Sequence, residues 1–219
     1  MSYLELNLAL STRSPIHTTG NRIAWQADKA TALAANGTPI IPATTIKGLL
    51  RRSAIALLAT SGTRVCIGPE PGDMCASLDD LCITCRVFGN PRRISPLRFQ
   101  DAVPAGDAAL QIRSGVTISR QRRSALAGRV FFVETASAMP APWVTRCAGH
   151  FATTDLAREA AALIAVAARA IGVAGGGSSR GLGWIGSWQV SGTVDGDPLT
   201  EETLVSSWRS WLAGEGSWT

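Results

Sequence analysis

A glycine-rich run at residues 175–183 (GGGSSRGLG) is the feature that most restricts what this chain can fold into. Five of its nine residues are glycine, so its backbone amides can adopt positive φ and approach a ligand closely. Successive amides in such a run form an anion-binding nest, and Arg180 adds a guanidinium suited to phosphate. The run therefore predicts either an anion-binding loop or a flexible turn.

The flanking segments exclude one common kind of phosphate loop. An alanine-rich helix, capped by Asp155, is predicted over 156–171, and a strand is predicted over 184–193. This helix–loop–strand order is the reverse of a nucleotide P-loop, and the Gly-Lys-Ser/Thr ending is missing. We therefore expect no nucleoside triphosphate site.

The charge distribution favours an acidic partner. The formal net charge is +5 and the isoelectric point is about 9.3. Arginine outnumbers lysine 19 to 2, and the segment from Arg86 to Arg129 holds nine arginines against Asp101 and Asp107. Such clustering is typical of a nucleic-acid-binding surface, although GC-rich codon usage would also raise the arginine count.

No targeting or membrane-spanning segment is visible in the sequence. The first residues form an alternating strand pattern, and the longest apolar stretch, 160–174, contains Arg169 and is too short to cross a bilayer. We expect a cytoplasmic protein with no membrane partner.

Apolar periodicity predicts an α+β, ferredoxin-like sheet with helices on one side. The segment 22–38 is expected to be an exposed loop, with a short helix possible over 29–35. A hairpin tip is expected over 119–128, and a Trp-rich C-terminal helix carries Leu204, Trp208, Trp211 and Leu212. The expected strands are 3–10, 112–118, 129–135, 144–153 and 184–193, and the expected helices are 44–60, 156–171 and 200–213.

Four cysteines lie within 20 residues: Cys66, Cys75, Cys82 and Cys85. Four thiolates suit a tetrahedral Zn²⁺ ion, and the closing C-x-x-C supplies a tight knuckle. An odd total of five cysteines in a cytoplasmic chain also favours a metal over disulfides. The prediction is a structural zinc site; buried free thiols, or three cysteines with His150, are the alternatives. Cys147 is expected in the core.

Two further segments are candidates for RNA contact. The start of the predicted helix at Thr44 combines hydroxyls with cations, and a helix N-terminus attracts anions. The basic hairpin tip can line a phosphate track while its apolar residues wedge between splayed bases of single-stranded RNA. An ordinary amphipathic helix and a solvated hairpin are the alternatives.

Asp28 and His17 are the candidate chemical groups. Asp28 is the lone acid between Glu5 and Glu70, and one carboxylate with substrate phosphates can hold Mg²⁺. An exposed acid with no function is the alternative. His17 is either a general acid–base or a loop residue that contacts RNA, and we favour the second.

Four motifs in order resemble the RAMP superfamily of CRISPR-associated proteins, and particularly the small backbone subunit of type III effector complexes. They are 39–51 (PIIPATTIKGLLR), 82–89 (CITCRVFG), the hairpin 115–134 (GVTI to GRVFFVE) and 175–183. The similarity covers roughly residues 1–193. It implies one domain over 1–219: an RRM-like palm with a zinc-binding insertion at 64–90, a thumb hairpin at 112–135 and a C-terminal helix at 196–219.

The resemblance implies that copies of the chain stack along a CRISPR RNA, beside other effector subunits, and present the guide to target RNA. An acid before the first motif helps to cleave the target with a divalent metal, which implies a catalytic role for Asp28 with Mg²⁺. Proline is missing after Asp28, and Ser119 replaces an aspartate of the family's thumb. The implied RNA-binding residues are His17, Thr44, Thr45, Lys47, Arg51, Arg120, Arg122, Arg123, Gly176, Gly177, Ser178, Ser179 and Arg180.

Two other functions stay open. The chain is a purely structural CRISPR RNA-binding subunit if another protein cleaves the target. It is a repeat-processing endoribonuclease if His17 acts as general acid–base, although such a site usually needs a second acid–base group and the lone tyrosine, Tyr3, lies in the first strand.

Overall fold

A computed structural model describes residues 1–20, 22–68 and 70–212 of the chain. The fold is α+β and its sheets are antiparallel. The helices are α1 (Ala43–Thr60), α2 (Ile83–Phe88), α3 (Thr154–Arg169) and α4 (Glu201–Leu212). The strands are β1 (Ser2–Thr12), β2 (Leu97–Phe99), β3 (Val103–Pro104), β4 (Leu110–Ile118), β5 (Ala125–Ala136), β6 (Trp143–Phe151), β7 (Ile185–Val194) and β8 (Asp197–Leu199).

The larger sheet is built around β1. Its strand order is β2-β6-β1-β7-β8, with β3 also pairing with β6. The alternation in β1 buries Leu4, Leu6, Leu8 and Leu10, each at most 1% exposed, on one side of the sheet. We call this side the leucine face and the opposite side, which carries Tyr3 and Glu5, the open face.

Helices α1, α3 and α4 cover the leucine face. Ile46 and Leu50 of α1 and Leu163 of α3 are fully buried in the same cluster as the β1 leucines. The many alanines of α3 bring its backbone close to the sheet and to α1. Leu204 and Trp208 of α4 are buried, whereas the side chains of Trp211 and Leu212 lie outside the described residues.

The expected cap of α3, Asp155, is wrong by two residues, and the expected start of α1 at Thr44 is one residue late. Helix α1 begins at Ala43 behind an extended Pro42, and the carboxylate of Asp101 accepts a hydrogen bond from the Ala43 amide at 2.7 Å. The N-cap of α3 is Thr153, whose hydroxyl accepts a hydrogen bond from the Leu156 amide at 3.3 Å. The extended backbone of Pro42 and Thr153 fixes where each helix starts.

The helix considered over 29–35 does not form. Lys29 bridges to Val133 of β5, Thr31 to Thr19, and Leu33 to Pro39. Alanine-rich composition favours a helix locally, but extended pairing on both sides of the segment overrides that weak preference. The segment is also less exposed than expected, since its centre at Thr31 is buried.

Strands β4 and β5 form a separate two-stranded sheet. The two predicted hairpin strands are confirmed, but β5 starts at Ala125, so the tip is shorter than predicted and spans 119–124. Only the base of this hairpin is buried, at 134–136. The rest of both strands is largely exposed, so the hairpin projects from the body.

The cysteine-bearing segment, 61–82, is mostly irregular and leads into α2. It has its own small cluster of buried residues, separate from the main core. Within the described ranges, no helix combines the length and hydropathy needed to cross a bilayer.

Candidate nucleic-acid interface and metal centre

The glycine-rich run is a shaped, anchored loop. Gly175, Gly177, Gly181 and Gly183 all have positive φ, between 68° and 81°. The Gly176 amide donates to the His17 carbonyl and the Gly183 amide to the Pro15 carbonyl, both at 2.8 Å. A Cβ at Gly183 would lie 1.8 Å from the Ala174 carbonyl oxygen. Since the backbone contacts fix the path of the loop, the glycines are required by its shape.

His17 supports this loop from beneath. Its side chain is 2% exposed, and its Nδ1 lies 2.7 Å from the Glu134 carbonyl oxygen, so Nδ1 carries a proton. Its Nε2 lies 3.0 Å from the Thr19 hydroxyl, and a Cβ at Gly176 would sit 3.2 Å from the ring. The expected direct RNA contact or proton transfer needs an accessible ring nitrogen, whereas both ring nitrogens face protein groups.

Asp28 is held against the outer edge of β5. Its carboxylate Oδ2 accepts a hydrogen bond from the Phe132 amide at 2.7 Å, and its own amide donates to the Phe132 carbonyl at 2.9 Å. The next residue continues this pairing, because the Glu134 amide donates to the Lys29 carbonyl at 3.0 Å. These hydrogen bonds hold the Asp28 carboxylate beside Phe132 of β5.

A partly buried ion pair secures the same loop. Arg22 pairs with the Glu134 carboxylate, which also accepts a hydrogen bond from the Thr31 amide at 2.9 Å. Arg22 Nε in turn donates to the Thr31 carbonyl at 2.9 Å. The sequence analysis did not predict this ion pair. Glu134, an acid directly after the apolar run 130–133 of β5, was the feature that could have indicated it.

The Asp28 loop, the hairpin base and the glycine loop line one cleft of about 400 Å³, which we call the hairpin cleft. Arg180 lies 5.7 Å from the centre of the Phe131 ring, within cation–π range. That ring lies over Gly115, where a Cβ would approach it to 2.4 Å. The charged lining residues are Asp28, Lys29, Arg113 and Arg180, one acid and three cations, which suits a phosphate group.

The first turn of α1 faces the glycine loop across a second cavity of about 380 Å³. Thr44 and Thr45 line it together with Gly175 and Gly176. The predicted anion-binding residues of the helix and the loop are therefore brought together, with the Thr44 and Thr45 side chains on one side and the glycine backbone on the other.

A larger groove of about 780 Å³ runs between α1 and the cysteine-bearing segment, and we call it the α1 groove. Its charged lining residues are all cations: Lys47, Arg51, Arg52 and Arg93. Burial, and then the repulsion of the neighbouring Arg51, lower the pKa of Lys47. A bound anion would relieve that repulsion. Arg93 was not among the predicted residues.

The other predicted RNA contacts lie elsewhere. Ser178 and Ser179 are exposed in the short turn between Gly177 and Gly181. The three tip arginines are exposed at the far end of the hairpin and line none of these three cavities: Arg120, Arg122 and Arg123.

The four predicted cysteine ligands do come together. The Sγ atoms of Cys66, Cys75, Cys82 and Cys85 all lie within 4.8 Å of one another. Buried thiols at these separations fit one tetrahedral metal ion such as Zn²⁺, for which sulfur ligands about 2.3 Å from the metal are typical. His150 is not part of this group, because it lies on β6 opposite Tyr3. Cys147 is a fully buried core residue, as predicted.

The thiols of this group differ in acidity. Burial opposes ionisation of Cys82, but hydrogen bonds from the Thr84 hydroxyl and backbone amides lower its pKa to about 6. Burial and its hydrogen bond with Cys82 raise the pKa of Cys85 to about 11. Cys82 is therefore more easily ionised than Cys85.

Comparison with models of known protein families gives a match. The model of the RAMP superfamily matches residues 9–186. The chain belongs to the RAMP superfamily. Membership identifies it as a CRISPR-associated protein that binds RNA and acts within a CRISPR effector complex. The match includes the glycine loop, the hairpin and the cysteine group of this RAMP protein. A search of curated proteins finds no match.

Proposed function

We propose that this RAMP protein is the backbone subunit of a type III RNA-guided effector complex and that it cleaves the paired target RNA. The hairpin cleft carries the proposal, because it places Asp28 beside the glycine loop and the base of the projecting hairpin. The strand order β2-β6-β1-β7 supports a ferredoxin-like, RRM-like palm, on which β4 and β5 act as the thumb.

In this proposal the guide backbone follows the cations of α1 and the amides of the glycine loop. The α1 groove supplies four cations with no acid among its lining residues, and the second cavity connects α1 to the loop. The thumb arginines extend this track toward a neighbouring copy. Such phosphate contacts make binding fall with salt, with a log–log slope of about 0.7 per contact for single strands.

The cleavage step follows from the position of Asp28. The target's ribose 2′-hydroxyl loses its proton to the Asp28 carboxylate as its oxygen attacks the adjacent phosphorus. The bond from phosphorus to the 5′-oxygen breaks, and that oxygen takes a proton from water, leaving a 2′,3′-cyclic phosphate and a 5′-hydroxyl. Arg113, Arg180 and Lys29 lie in position to stabilise the charge on the phosphate.

One carboxylate beside a phosphate site fits Mg²⁺, which commonly uses one or two protein carboxylates together with substrate phosphates. Asp28 would hold the ion, and the ion would supply additional charge neutralisation at the phosphate. The proposed Zn²⁺ at the four cysteines is structural, since four thiolates leave no open position.

The second candidate is a structural CRISPR RNA-binding subunit without cleavage activity. The anchoring of Asp28 Oδ2 on the Phe132 amide favours it, because that contact gives the side chain a purely architectural role. Repeat processing by His17 has less support, because the ring is 2% exposed.

The deciding experiment compares target-RNA cleavage by the reconstituted complex for wild type, Asp28→Ala and Asp28→Asn, with Mg²⁺ and with EDTA. Asparagine retains an oxygen that can accept from Phe132 but removes the charge. If cleavage is the function, both variants lose evenly spaced cuts while guide and target binding persist. If Asp28 is architectural, Asp28→Asn behaves as wild type, and a wild-type complex that binds target without cutting supports the structural role.

A further inference from the structure

The open face of the sheet carries a pair of rings that the proposed function does not use. Tyr3 of β1 lies directly opposite His150 of β6, on the two strands at the centre of the sheet. Their ring centroids are 5.0 Å apart and their planes are inclined by 47°. His150 is exposed and Tyr3 half-buried, so the rings form a ledge on the surface.

This ledge borders a depression of about 510 Å³, which we call the open-face depression. Arg98 of β2 and Gln100 line its far side, and Ala148 contributes a small side chain between the rings and that side. Arg146 is also in the lining and donates to the Tyr3 hydroxyl at 3.3 Å. An aromatic ledge, an exposed guanidinium and an amide therefore converge on one concavity.

The electrostatics of the depression favour an anionic ligand with a flat ring. Glu5 pairs with Arg146, which leaves Arg98 as the exposed cation of the lining. Aromatic rings bind bases of any sequence, because each base has a π-face. RNA-binding sheets use side-by-side aromatic residues on their central strands in this way.

We propose that the open-face depression binds a nucleotide of single-stranded RNA, with its base on the Tyr3–His150 ledge and its phosphate at Arg98. The amide of Gln100 is placed to hydrogen-bond the base edge. The site lies on the side of the sheet opposite the leucine face and α1, so it is separate from the guide track. It rests on the proposed function only in that the ligand class is RNA.

The charged residues in the lining argue for RNA over a protein partner, since the buried centre of a protein interface is depleted in charged residues. The depression is lined by two arginines, a histidine and a glutamine, together with Tyr3, Pro96 and Ala148. The occupant is therefore one whose recognition is carried by stacking and by phosphate contacts.

The test is photo-crosslinking of the full-length protein to a short single-stranded RNA containing 4-thiouridine, followed by mapping of the crosslinked peptides. Two groups of crosslinks are expected: one on peptides with Tyr3 or His150, and one on peptides of α1 and the glycine loop. If crosslinks on the Tyr3 and His150 peptides alone are absent, this inference is overturned. If crosslinks on the α1 and glycine-loop peptides alone are absent, the proposed guide track is overturned.

Variants make the result specific. Tyr3→Leu and His150→Ala should each remove the open-face crosslinks. RNA binding is measured in a Lys47→Ala/Arg51→Ala background, which weakens the proposed guide track in the α1 groove. In that background each variant should weaken RNA binding about tenfold, within the range for one base–aromatic stack. Gln189→Ala is the matched control, because Gln189 lies on β7 outside the depression. Equal binding by His150→Ala and Gln189→Ala, with thermal melting unchanged, would refute the site. Protection of Tyr3 and His150 by a second copy of the chain in the absence of RNA would indicate a protein partner and would also refute the site.

Discussion

Strands β1 and β4 carry similar alternations of apolar residues, yet they lie in opposite environments. Leu4, Leu6, Leu8 and Leu10 of β1 are covered by helices and are at most 1% exposed. In β4, Val116 is 49% exposed and Ile118 64%. On the same side of the hairpin, Val130 of β5 is 53% exposed. The alternation therefore predicts a strand in both places, but burial depends on whether another layer covers it.

In this protein, the residues that stabilise the fold and the residues available to bind a ligand or a neighbour lie in different parts of the chain. The body buries its apolar side chains against α1 and α3, whereas the hairpin keeps an apolar side available for a ligand or a neighbour. Loss of a side chain should therefore cost stability in the body and binding in the hairpin. Five experiments test or refine that division, from the largest expected effect to the smallest.

The cysteine-bearing segment is a third environment, where four clustered cysteines that form a candidate metal site take the place of an apolar core. Its buried cluster has six members, of which four are cysteines, so apolar burial alone is small. Zinc removal by a chelator, or Cys85→Ser, should unfold this segment, since structural zinc contributes on the order of 10 kcal/mol in small domains. Metal content and proteolysis within 61–82 report the change, with Cys147→Ser as the control that retains the metal. Resistance to proteolysis after complete metal loss would contradict it.

Leu6→Ala in β1 and Val116→Ala in β4 form the direct comparison. Leu6 is 0% exposed, so its truncation should lower the free energy of unfolding by about 2–5 kcal/mol. Val116→Ala should change it by no more than about 0.5 kcal/mol. Chemical denaturation measures both. Similar losses for the two variants would show that the hairpin is as tightly packed as the body.

Substitutions of Gly149 in β6 and of Gly115 in β4 compare two kinds of steric clash. An added Cβ would meet backbone atoms at Gly149 and a side chain at Gly115. A Cβ at Gly149 would lie 1.9 Å from the Pro96 carbonyl oxygen, so Gly149→Ala must displace β2 and should cost about 1–3 kcal/mol. The three atoms nearest to a Cβ at Gly115 all belong to the Phe131 ring, which can rotate. Gly115→Ala should therefore spare stability but weaken RNA binding at the hairpin cleft. Thermal melting and RNA titration together separate the two outcomes.

The ion pair of Arg22 and Glu134 at the hairpin base should contribute more to the free energy of unfolding than the exposed pair of Arg64 and Asp80 in the cysteine-bearing segment. Glu134 is 8% exposed and also accepts the Thr31 amide, so Glu134→Gln should cost about 1–3 kcal/mol and loosen the Asp28 loop. Asp80, paired with Arg64 on the surface, is the control, and Asp80→Asn should cost under about 1 kcal/mol. Denaturation and hydrogen exchange at 28–31 measure the difference; equal costs would remove the special role of Glu134.

The smallest expected effect is a loss of folding stability at alkaline pH that is caused by Cys147, a buried residue of the larger sheet. Burial raises the pKa of Cys147 to about 12, so the folded chain keeps the thiol while the unfolded chain ionises above its ordinary pKa of about 8.5. This contribution to stability is present below pH 8.5 and is lost as pH rises toward 12. About 1 kcal/mol should be lost near pH 9.5. Cys147→Ala should flatten that part of the pH profile, and an unchanged slope would exclude Cys147 as its source.

Much of the fold was predictable because periodicity is local. The strand around Leu6, the two strands of the hairpin and the helix that contains Leu163 follow directly from apolar spacing. The four cysteines were predictable as one group, since close spacing limits how far apart they can lie. The start of α1 and the extended pairing of 29–35 were not predictable, because contacts with the distant residues Asp101 and Val133 decide them.

The sequence by itself determined the alternating strands, the helices, the cysteine group and the glycine loop, because each depends on residues close together in the chain. Only the tertiary structure decided that Asp28 pairs with Phe132, 104 residues away, and that Arg22 pairs with Glu134 across 112 residues. It also decided that His17 is buried under the glycine loop and that Tyr3 meets His150. Such pairings depend on the register of strands distant in the chain, which local patterns leave undetermined.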